Sequence, residues 1–267
     1  MSELQNVRHD LITQQDALDD LVANLEPERW HVATASVGWD VADQIGHLTY
    51  FDQAAALAIL DPEGFQNSVH ALIDGATRQG VDDYTLGEFR QRPPREQLTA
   101  WRDHRRSLAE ASAILDDGVR VAWYGPSMGA TSFLTARLME VWAHGTDVAD
   151  ALGLRLVATD RLRHVAQLGV ITRKWSYTVR GEEMPPGNIR VELAGPSGTH
   201  WTWGDEATLE SVRGDVEDFC LVVTQRRHLD DTNLVTTPLA RDWLLRAQAF
   251  AGGPTLGPLP QERDGTR

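Results

Sequence analysis

Glu140 and His144 stand four residues apart in the segment from Arg137 to Gly153, which we predict to be helical. Residues four apart on a helix lie one turn above each other on the same face. A carboxylate and an imidazole held in this way can bind one divalent metal ion together. Two protein ligands make an incomplete site, so the pattern requires a third ligand from elsewhere in the chain.

His47 is the candidate for this third ligand, because it lies among apolar residues in a second predicted helix that Asp40 can cap. Side chains on facing helices of a bundle converge in its core. Together, His47, Glu140 and His144 offer two imidazoles, one carboxylate and an open position, which suits Zn²⁺ and, less specifically, Fe²⁺ or Ni²⁺. The alternatives are a hydrogen-bonded core histidine and a simple Glu/His surface contact.

Three charged residues lie one helical turn from the candidate ligands. Asp43 and Asp147 each neighbour a candidate histidine and can act as the hydrogen-bond acceptor that orients its imidazole. The alternative for Asp147 is a solvated carboxylate. Arg137 lies one turn before Glu140 and would compete with a metal ion if the two side chains paired.

The helices that must position these residues follow from apolar periodicity. A shorter helix around Phe65 to Ile73, followed by a polar loop, is predicted between the second and third long helices. Four long helices with intervening loops predict a four-helix bundle over residues 1–153. The long helices are predicted at 3–25, 40–60, 95–116 and up to Gly153.

The pattern of strands and helices over residues 154–267 predicts a second domain of α+β type. The whole chain is therefore assigned to the α+β class. IRVELAG and THWTWG alternate with a period of two and predict a hairpin joined by GPSG. A third strand is predicted near 208–212. Helices are predicted over 160–180, VEDFCLVVTQRRH and PLARDWLLRAQAFAG.

The composition narrows the classes of partner. The chain has 25 basic and 39 acidic residues, a net charge of -14 that argues against nucleic-acid binding. Its single cysteine, Cys220, allows no intramolecular disulfide, which fits a cytoplasmic protein, and its apolar surroundings predict an inert buried thiol. We expect no membrane segment, since no apolar run approaches the required length. We also expect no signal peptide, since the N-terminus has neither a charged n-region nor an apolar h-region.

The segments GWDVADQIGHL and RLMEVWAHGTDVADALG resemble the DinB-like superfamily, and more closely the N-terminal domain of the mycothiol-dependent maleylpyruvate isomerase type. That family places a metal-binding histidine near the end of a helix whose pattern is matched here by Trp39, Asp43 and His47. It places a glutamate and a histidine four apart on the last bundle helix, matched by Glu140 and His144. The resemblance therefore implies a metal site on these residues.

Two further resemblances concern the linker before the last bundle helix and the C-terminal half of the chain. The segment from Trp123 to Gly145 is similar to an actinobacterial subgroup described as metal-binding proteins. The C-terminal half resembles the sterol-carrier-like α+β domain that follows the bundle in the isomerase, where an arginine reaches toward the metal cleft. Arg226 and Arg227 stand at about the matching place, and the alternative for both is a solvated helix end, where arginines suit the helix dipole.

The resemblance implies an enzyme that uses its metal with mycothiol as thiol cosubstrate, either as an isomerase or as an S-transferase. The substrate expected is a small electrophilic or unsaturated acid, whose carboxylate an arginine can hold. The alternatives are a metal-dependent hydrolase, in which the site activates water, and a non-catalytic protein that binds metal or a small ligand. We expect a monomer or homodimer.

Overall fold

The structure is a computed structural model that describes residues 2–125 and 127–261. Internal contacts divide the chain after Leu156 into two compact units, whereas the predicted domain boundary follows Gly153. The first unit is helical and the second contains a four-stranded sheet, so the predicted α+β class is confirmed. Among the described residues, no helix combines the length and apolar character that crossing a membrane requires.

The N-terminal unit is built around four long helices. The described helices of this unit are α1 (Glu3–Val22), α2 (Val41–Leu60), α3 (Pro62–Gln79), α4 (Val81–Leu86), α5 (Pro94–Ser112) and α6 (Ala130–Leu152). Helix α2 packs against α5 and α6, and α1 packs against the same two helices, which confirms the predicted bundle. Helices α2 and α6 carry the candidate ligands and are direct neighbours.

The ends of the two ligand-bearing helices are fixed by local interactions. Asp40 caps α2, since its Oδ1 accepts a hydrogen bond of 2.9 Å from the backbone N–H of Asp43. Gly153 ends α6 in the left-handed conformation, with φ of 63°. A residue without Cβ adopts this conformation at least cost, as expected for the position after a helix. Both predicted helix ends are confirmed.

The polar loop predicted after Ile73 is wrong, because α3 continues through that segment to Gln79. The helix buries Gly75 against the ring of Tyr84 from α4. A Cβ placed on Gly75 would lie 2.0 Å from Cδ2 of that ring. The glycine therefore allows close packing of α3 on α4, and this tertiary contact outweighs its weak helix propensity.

The C-terminal unit combines helices with a four-stranded sheet. Its elements are α7 (Leu162–Ile171), α8 (Arg173–Thr178), β3 (Arg190–Ala194), β4 (His200–Trp203), β5 (Ser211–Asp215), α9 (Val216–Val223), β6 (Val235–Thr236) and α10 (Pro238–Leu244). The strand order is β4-β3-β5-β6. Strands β3 and β4 form the predicted antiparallel hairpin, β3 pairs parallel with β5, and β5 pairs antiparallel with β6.

In the N-terminal unit, the linker before α6 carries a small ladder of β1 (Arg120–Val121) with β2 (Met128–Gly129).

Two predicted helices of the C-terminal unit are shorter in the structure. Helix α9 ends at Val223, because Gln225 takes a positive φ of 60° that no helical residue adopts. Helix α10 ends at Leu244, and the chain then turns. The third strand also lies later than predicted, at Ser211–Asp215.

Candidate metal centre

The structure brings His47, Glu140 and His144 together. His47 extends from α2, and the other two residues extend from the facing helix α6. Nε2 of His47 lies 3.4 Å from Oε2 of Glu140, and Nε2 of His144 lies 3.2 Å from the same oxygen. One ligand atom from each residue lies within 4.8 Å of the other two. The three side chains are partly exposed, by 17% for His47, 23% for Glu140 and 10% for His144.

These separations fit a shared divalent ion. An ion about 2.0–2.2 Å from each ligand atom in a tetrahedral site separates those atoms by roughly 3.3–3.6 Å. A direct charge-assisted N–H···O bond is shorter, about 2.7–2.9 Å. The two N···O distances, 3.4 and 3.2 Å, are closer to the first pattern, and the third pair of ligand atoms lies within 4.8 Å. The donor set, two imidazole nitrogens and a carboxylate oxygen, is also the set that Zn²⁺ accepts.

Glu140 is held in its anionic form. Desolvation favours the neutral carboxyl group, but the hydrogen bonds and charges of His144 and His47 outweigh it and hold the pKa of Glu140 well below its usual range. The carboxylate therefore brings a negative charge into a cluster whose other two ligands are neutral when they bind a metal. This charge offsets part of the charge of a divalent cation.

Gln44 fixes the orientation of His144. Oε1 of this buried amide lies 2.5 Å from Nδ1 of His144. The amide nitrogen donates to Oγ1 of Thr34 at 2.9 Å and to Oγ of Ser36 at 3.1 Å, which sets its oxygen toward the imidazole. Nδ1 of His144 must then carry a proton, so the neutral imidazole has its proton on Nδ1 and its free Nε2 facing Glu140. This is the tautomer that a metal ligand needs.

The metal-ligand pattern of the sequence does not point to Gln44, although the sequence carries a signal for it. It lies three residues before His47 and shares one face of α2 with that ligand. A buried amide on the ligand-bearing face was therefore detectable, but its contact with a residue 100 positions away depends on how α2 and α6 are rotated against each other.

Arg137 turns away from Glu140. Its Nη2 donates to Oδ1 of Asp52 on α2 at 2.9 Å, and both residues are buried. Nε2 of Gln15 donates to the other carboxylate oxygen at 3.1 Å. Desolvation raises the pKa of Asp52, although Arg137 acts in the opposite direction. Because Arg137 pairs with Asp52, it does not compete with a metal ion for Glu140.

Asp43 also has another partner than the histidine it neighbours. Both of its oxygens accept hydrogen bonds from the guanidinium of Arg90, at 2.8 and 3.0 Å. The bidentate geometry is typical of a strong Arg–carboxylate pair. Asp43 therefore links α2 to the segment after α4. The structure shows no contact of Asp43 with His47.

Aromatic rings adjoin the candidate ligands. The ring of Trp39 lies 5.2 Å from that of His47 and stacks on that of His144 at 6.1 Å. The ring of Phe51 lies 4.6 Å from that of His47, on the next turn of α2, and 5.5 Å from that of Tyr124. These rings reduce the access of water to the imidazoles, which strengthens electrostatic interactions there.

Arg226 and Arg227 follow the C-terminal end of α9. The backbone N–H groups of both residues donate to the carbonyl of Leu221, and Nη1 of Arg226 donates to the carbonyl of Thr224 at 2.7 Å. Arg227 lines a small crevice of about 20 Å³ with the chain around Leu256. A substrate role for either arginine stays a prediction.

Cys220 is fully buried in α9. Its Sγ donates a weak hydrogen bond of 3.5 Å to the carbonyl of Leu162. Burial, followed by the charge of Glu217, raises the pKa of this thiol well above its ordinary value. The predicted burial of this thiol is confirmed, and its inertness stays a prediction.

The chain is similar to known proteins over most of its length. It is 46% identical over 250 residues to an uncharacterized protein of Mycobacterium tuberculosis strain H37Rv, covering 93% of this chain and 96% of the relative. The corresponding uncharacterized protein of strain CDC 1551 shows the same identity and the same coverage.

Two solved structures share the fold. One is the mycothiol-dependent maleylpyruvate isomerase, with a TM-score of 0.55 and 19% identity. The other is a histidine-to-alanine mutant of such an isomerase, with a TM-score of 0.56 and 17% identity. Each comparison covers 85% of this chain and 90% of the other chain.

A family comparison covers the bundle itself. The family described as mycothiol maleylpyruvate isomerase N-terminal domain matches residues 11–149, a range that contains His47, Glu140 and His144. The match spans more than half of the chain. The chain therefore belongs to the mycothiol maleylpyruvate isomerase N-terminal domain family.

Proposed function

We propose that this chain is an enzyme that uses a divalent metal ion, held by His47, Glu140 and His144, together with a small thiol cosubstrate. The observation that carries the proposal is the convergence of these three side chains at separations that fit one ion. Family membership makes mycothiol the proposed thiol. Zn²⁺ is the proposed ion because of the donor set, with Fe²⁺ and Ni²⁺ as alternatives.

The proposed chemistry needs a deprotonated thiol near neutral pH. A thiol with a pKa of about 8.5 is mostly protonated there, and a bound divalent cation favours its thiolate form. The residues of this chain then have separate tasks. Three side chains hold the ion, Gln44 keeps His144 in the binding tautomer, and the rings of Trp39 and Phe51 limit the entry of water.

The thiol has to come from outside the chain. Cys220 is the chain's single cysteine, and it is buried with a raised pKa. A buried thiol of this kind is a poor nucleophile. Dependence of the activity on an added thiol is therefore a direct consequence of the proposal.

The proposed reaction is isomerisation of a small unsaturated acid or transfer of the sulfur to an electrophile. In isomerisation, the thiol sulfur adds to a conjugated double bond, the resulting single bond rotates, and the C–S bond breaks again to release the thiol unchanged. In S-transfer, the carbanion left by the addition takes up a proton instead of expelling the thiolate, so the C–S bond remains. Arg226 or Arg227 is the proposed partner of the substrate carboxylate, since guanidinium binds carboxylate in a bidentate manner.

The test is turnover of zinc-loaded protein with and without mycothiol, against maleylpyruvate, other cis-unsaturated acids and an ester. We expect turnover of an unsaturated acid that requires both zinc and thiol, with Cys220→Ala as an active control variant. Ester hydrolysis that ignores the thiol would replace the proposal by a metal-dependent hydrolase. Tight metal binding without any turnover would replace it by a non-catalytic binding protein.

A further inference from the structure

The chain after α10 ends in an extended segment, residues 252–261, that has neither helix nor strand and that we call the strap. Its middle is bonded to Gln225, because Nε2 of Gln225 donates to the carbonyl of Thr255 at 3.1 Å and Oγ1 of Thr255 donates to Oε1 of Gln225 at 2.6 Å. Its far end is bonded to Asp231, whose two carboxylate oxygens accept from the backbone N–H of Gln261 at 3.0 and 3.1 Å. The strap is therefore attached to the chain before and after a short segment, residues 226–230.

The strap lies close against the chain that follows α9. Gly257 has a φ of 69°, and a Cβ placed on it would lie 3.1 Å from Cβ of Gln225. Glycine suits both the positive φ and the close approach. Arg227 lines a crevice with Leu256 and Pro258 of the strap, and its volume of about 20 Å³ has room for roughly one water molecule. The strap therefore packs directly against the segment that carries the two arginines.

Gln225 has an unfavourable backbone conformation. It is the one residue other than glycine with a positive φ in the described part of the chain, at 60°. Glycine usually occupies this position after a helix, because a Cβ is strained there. Such strain persists where surrounding contacts hold the residue in place. The side chain of Gln225 supplies these contacts, through its two bonds to Thr255 and a third from Nε2 to the carbonyl of Ala247 at 2.9 Å.

The turn at Gln225 determines where the next two residues lie. The backbone N–H groups of Arg226 and Arg227 donate to the carbonyl of Leu221, at 2.7 and 3.2 Å. The bond from Arg226 closes the turn that follows a helix when the residue after the helix is left-handed. If Gln225 leaves this conformation, both bonds open and the two arginines change position.

We propose that the strap positions Arg226 and Arg227 by holding Gln225 in its left-handed conformation. Gln225 and Thr255 are then positioning residues, which act on the site through the two arginines. That these arginines bind the substrate carboxylate rests on the proposed function, whereas their fixation by the strap does not. The competing explanation is an ordinary helix end that keeps its shape without the strap.

The first test measures backbone amide hydrogen exchange by NMR in the full chain, expressed as protection factors for Arg226 and Arg227. Gln225→Leu removes the side-chain bonds to the strap and keeps the strain, whereas Gln225→Gly removes both the bonds and the strain. We expect protection at least about fivefold lower in Gln225→Leu than in the wild type, and close to the wild type in Gln225→Gly. Gln167→Leu is the matched control, since it removes a bond of 2.6 Å from the Trp203 indole elsewhere in the unit.

The second variant approaches the same contact from the strap. Thr255→Val keeps the size and shape of an exposed side chain and removes its bond to Gln225, so it should lower the two protection factors about twofold or more. Adding Thr255→Val to Gln225→Leu should cause little further loss, because both changes remove one shared contact. Thr255→Val also keeps the test valid if Gln225→Leu does not fold.

The third test uses the proposed activity. With zinc content checked in parallel, Gln225→Leu should raise the KM for the unsaturated acid about fivefold or more at nearly unchanged kcat, and Gln225→Gly should restore the KM. Simple loss of stability removes active enzyme instead, which lowers the apparent kcat without raising the KM. Absence of any zinc- and thiol-dependent turnover would refute the proposed function, and the protection factors would still decide whether the strap holds the turn. Wild-type protection in folded Gln225→Leu and Thr255→Val, equal protection in Gln225→Leu and Gln225→Gly, or an unchanged KM of active Gln225→Leu would overturn the proposal.

Discussion

Replacing Gln44 by leucine should weaken metal binding although Gln44 is not a ligand. The amide oxygen lies 2.5 Å from Nδ1 of His144 and fixes the proton on that nitrogen. Leucine has nearly the same size but accepts no hydrogen bond. The imidazole then loses the interaction that keeps the proton of its neutral form on Nδ1, and its ring is no longer held toward Glu140.

The size of the effect follows from comparable contacts. Loss of a hydrogen-bond partner behind a metal ligand typically reduces metal affinity about 10–100-fold, which corresponds to about 1.4–2.7 kcal/mol. Gln44→Glu retains an acceptor for Nδ1 and should stay within about tenfold of the wild-type affinity. We therefore expect the wild type and Gln44→Glu to bind the metal more tightly than Gln44→Leu.

Zinc affinity is measured by competition with a chromogenic chelator, and the tautomer of His144 by long-range ¹H–¹⁵N correlation of the imidazole. Gln97→Leu is the matched control, because Gln97 is also a buried glutamine and donates to the carbonyl of Phe89 at 2.7 Å. It should lower stability without changing zinc affinity. Equal zinc affinity of Gln44→Leu and wild type would refute this role of Gln44, as would a missing proton on Nδ1 of His144 in the zinc-loaded wild type.

Three further predictions concern the rest of the molecule. Arg137→Met should lower the free energy of unfolding by about 3–5 kcal/mol at pH 7, because it leaves Asp52 buried without its cation. Adding Asp52→Leu should restore most of the lost free energy, and urea titrations measure both variants. The single-variant loss should shrink toward acidic pH, since the raised pKa of Asp52 lets the folded state take up a proton. Cys220 should resist a thiol reagent at pH 8 in the native protein and react fully in urea; a fast native reaction would contradict its burial. Arg226→Lys or Arg227→Lys should reduce kcat/KM about tenfold or more with metal content unchanged, and full activity of both variants would remove these residues from the proposed site.

The bundle and the three clustered side chains could be predicted from the sequence because the information is local. The spacing of Glu140 and His144 places them on one helix face, and the family motif supplies the segment around His47. The ends of α2 and α6 were also predictable, since Asp40 and Gly153 are residue types with strong positional preferences at helix ends.

The features that escaped prediction depend on contacts between distant segments. The pairing of Arg137 with Asp52 is set by the rotation of two helices against each other, which no periodicity determines. The helical path through Gly75 depends on the ring of Tyr84. The early end of α9 depends on Gln225 in a left-handed conformation, which residue type alone does not indicate.

Metal content of the purified chain tests the central claim most directly. Zinc is measured by mass spectrometry after zinc loading and gel filtration, for the wild type and for His47→Ala, Glu140→Ala and His144→Ala. His9→Ala serves as control, because it removes an exposed histidine of α1. We predict one zinc per chain in the wild type and in His9→Ala, and loss of most zinc in each of the other three. One zinc per chain in all three ligand variants would contradict a metal site formed by these residues.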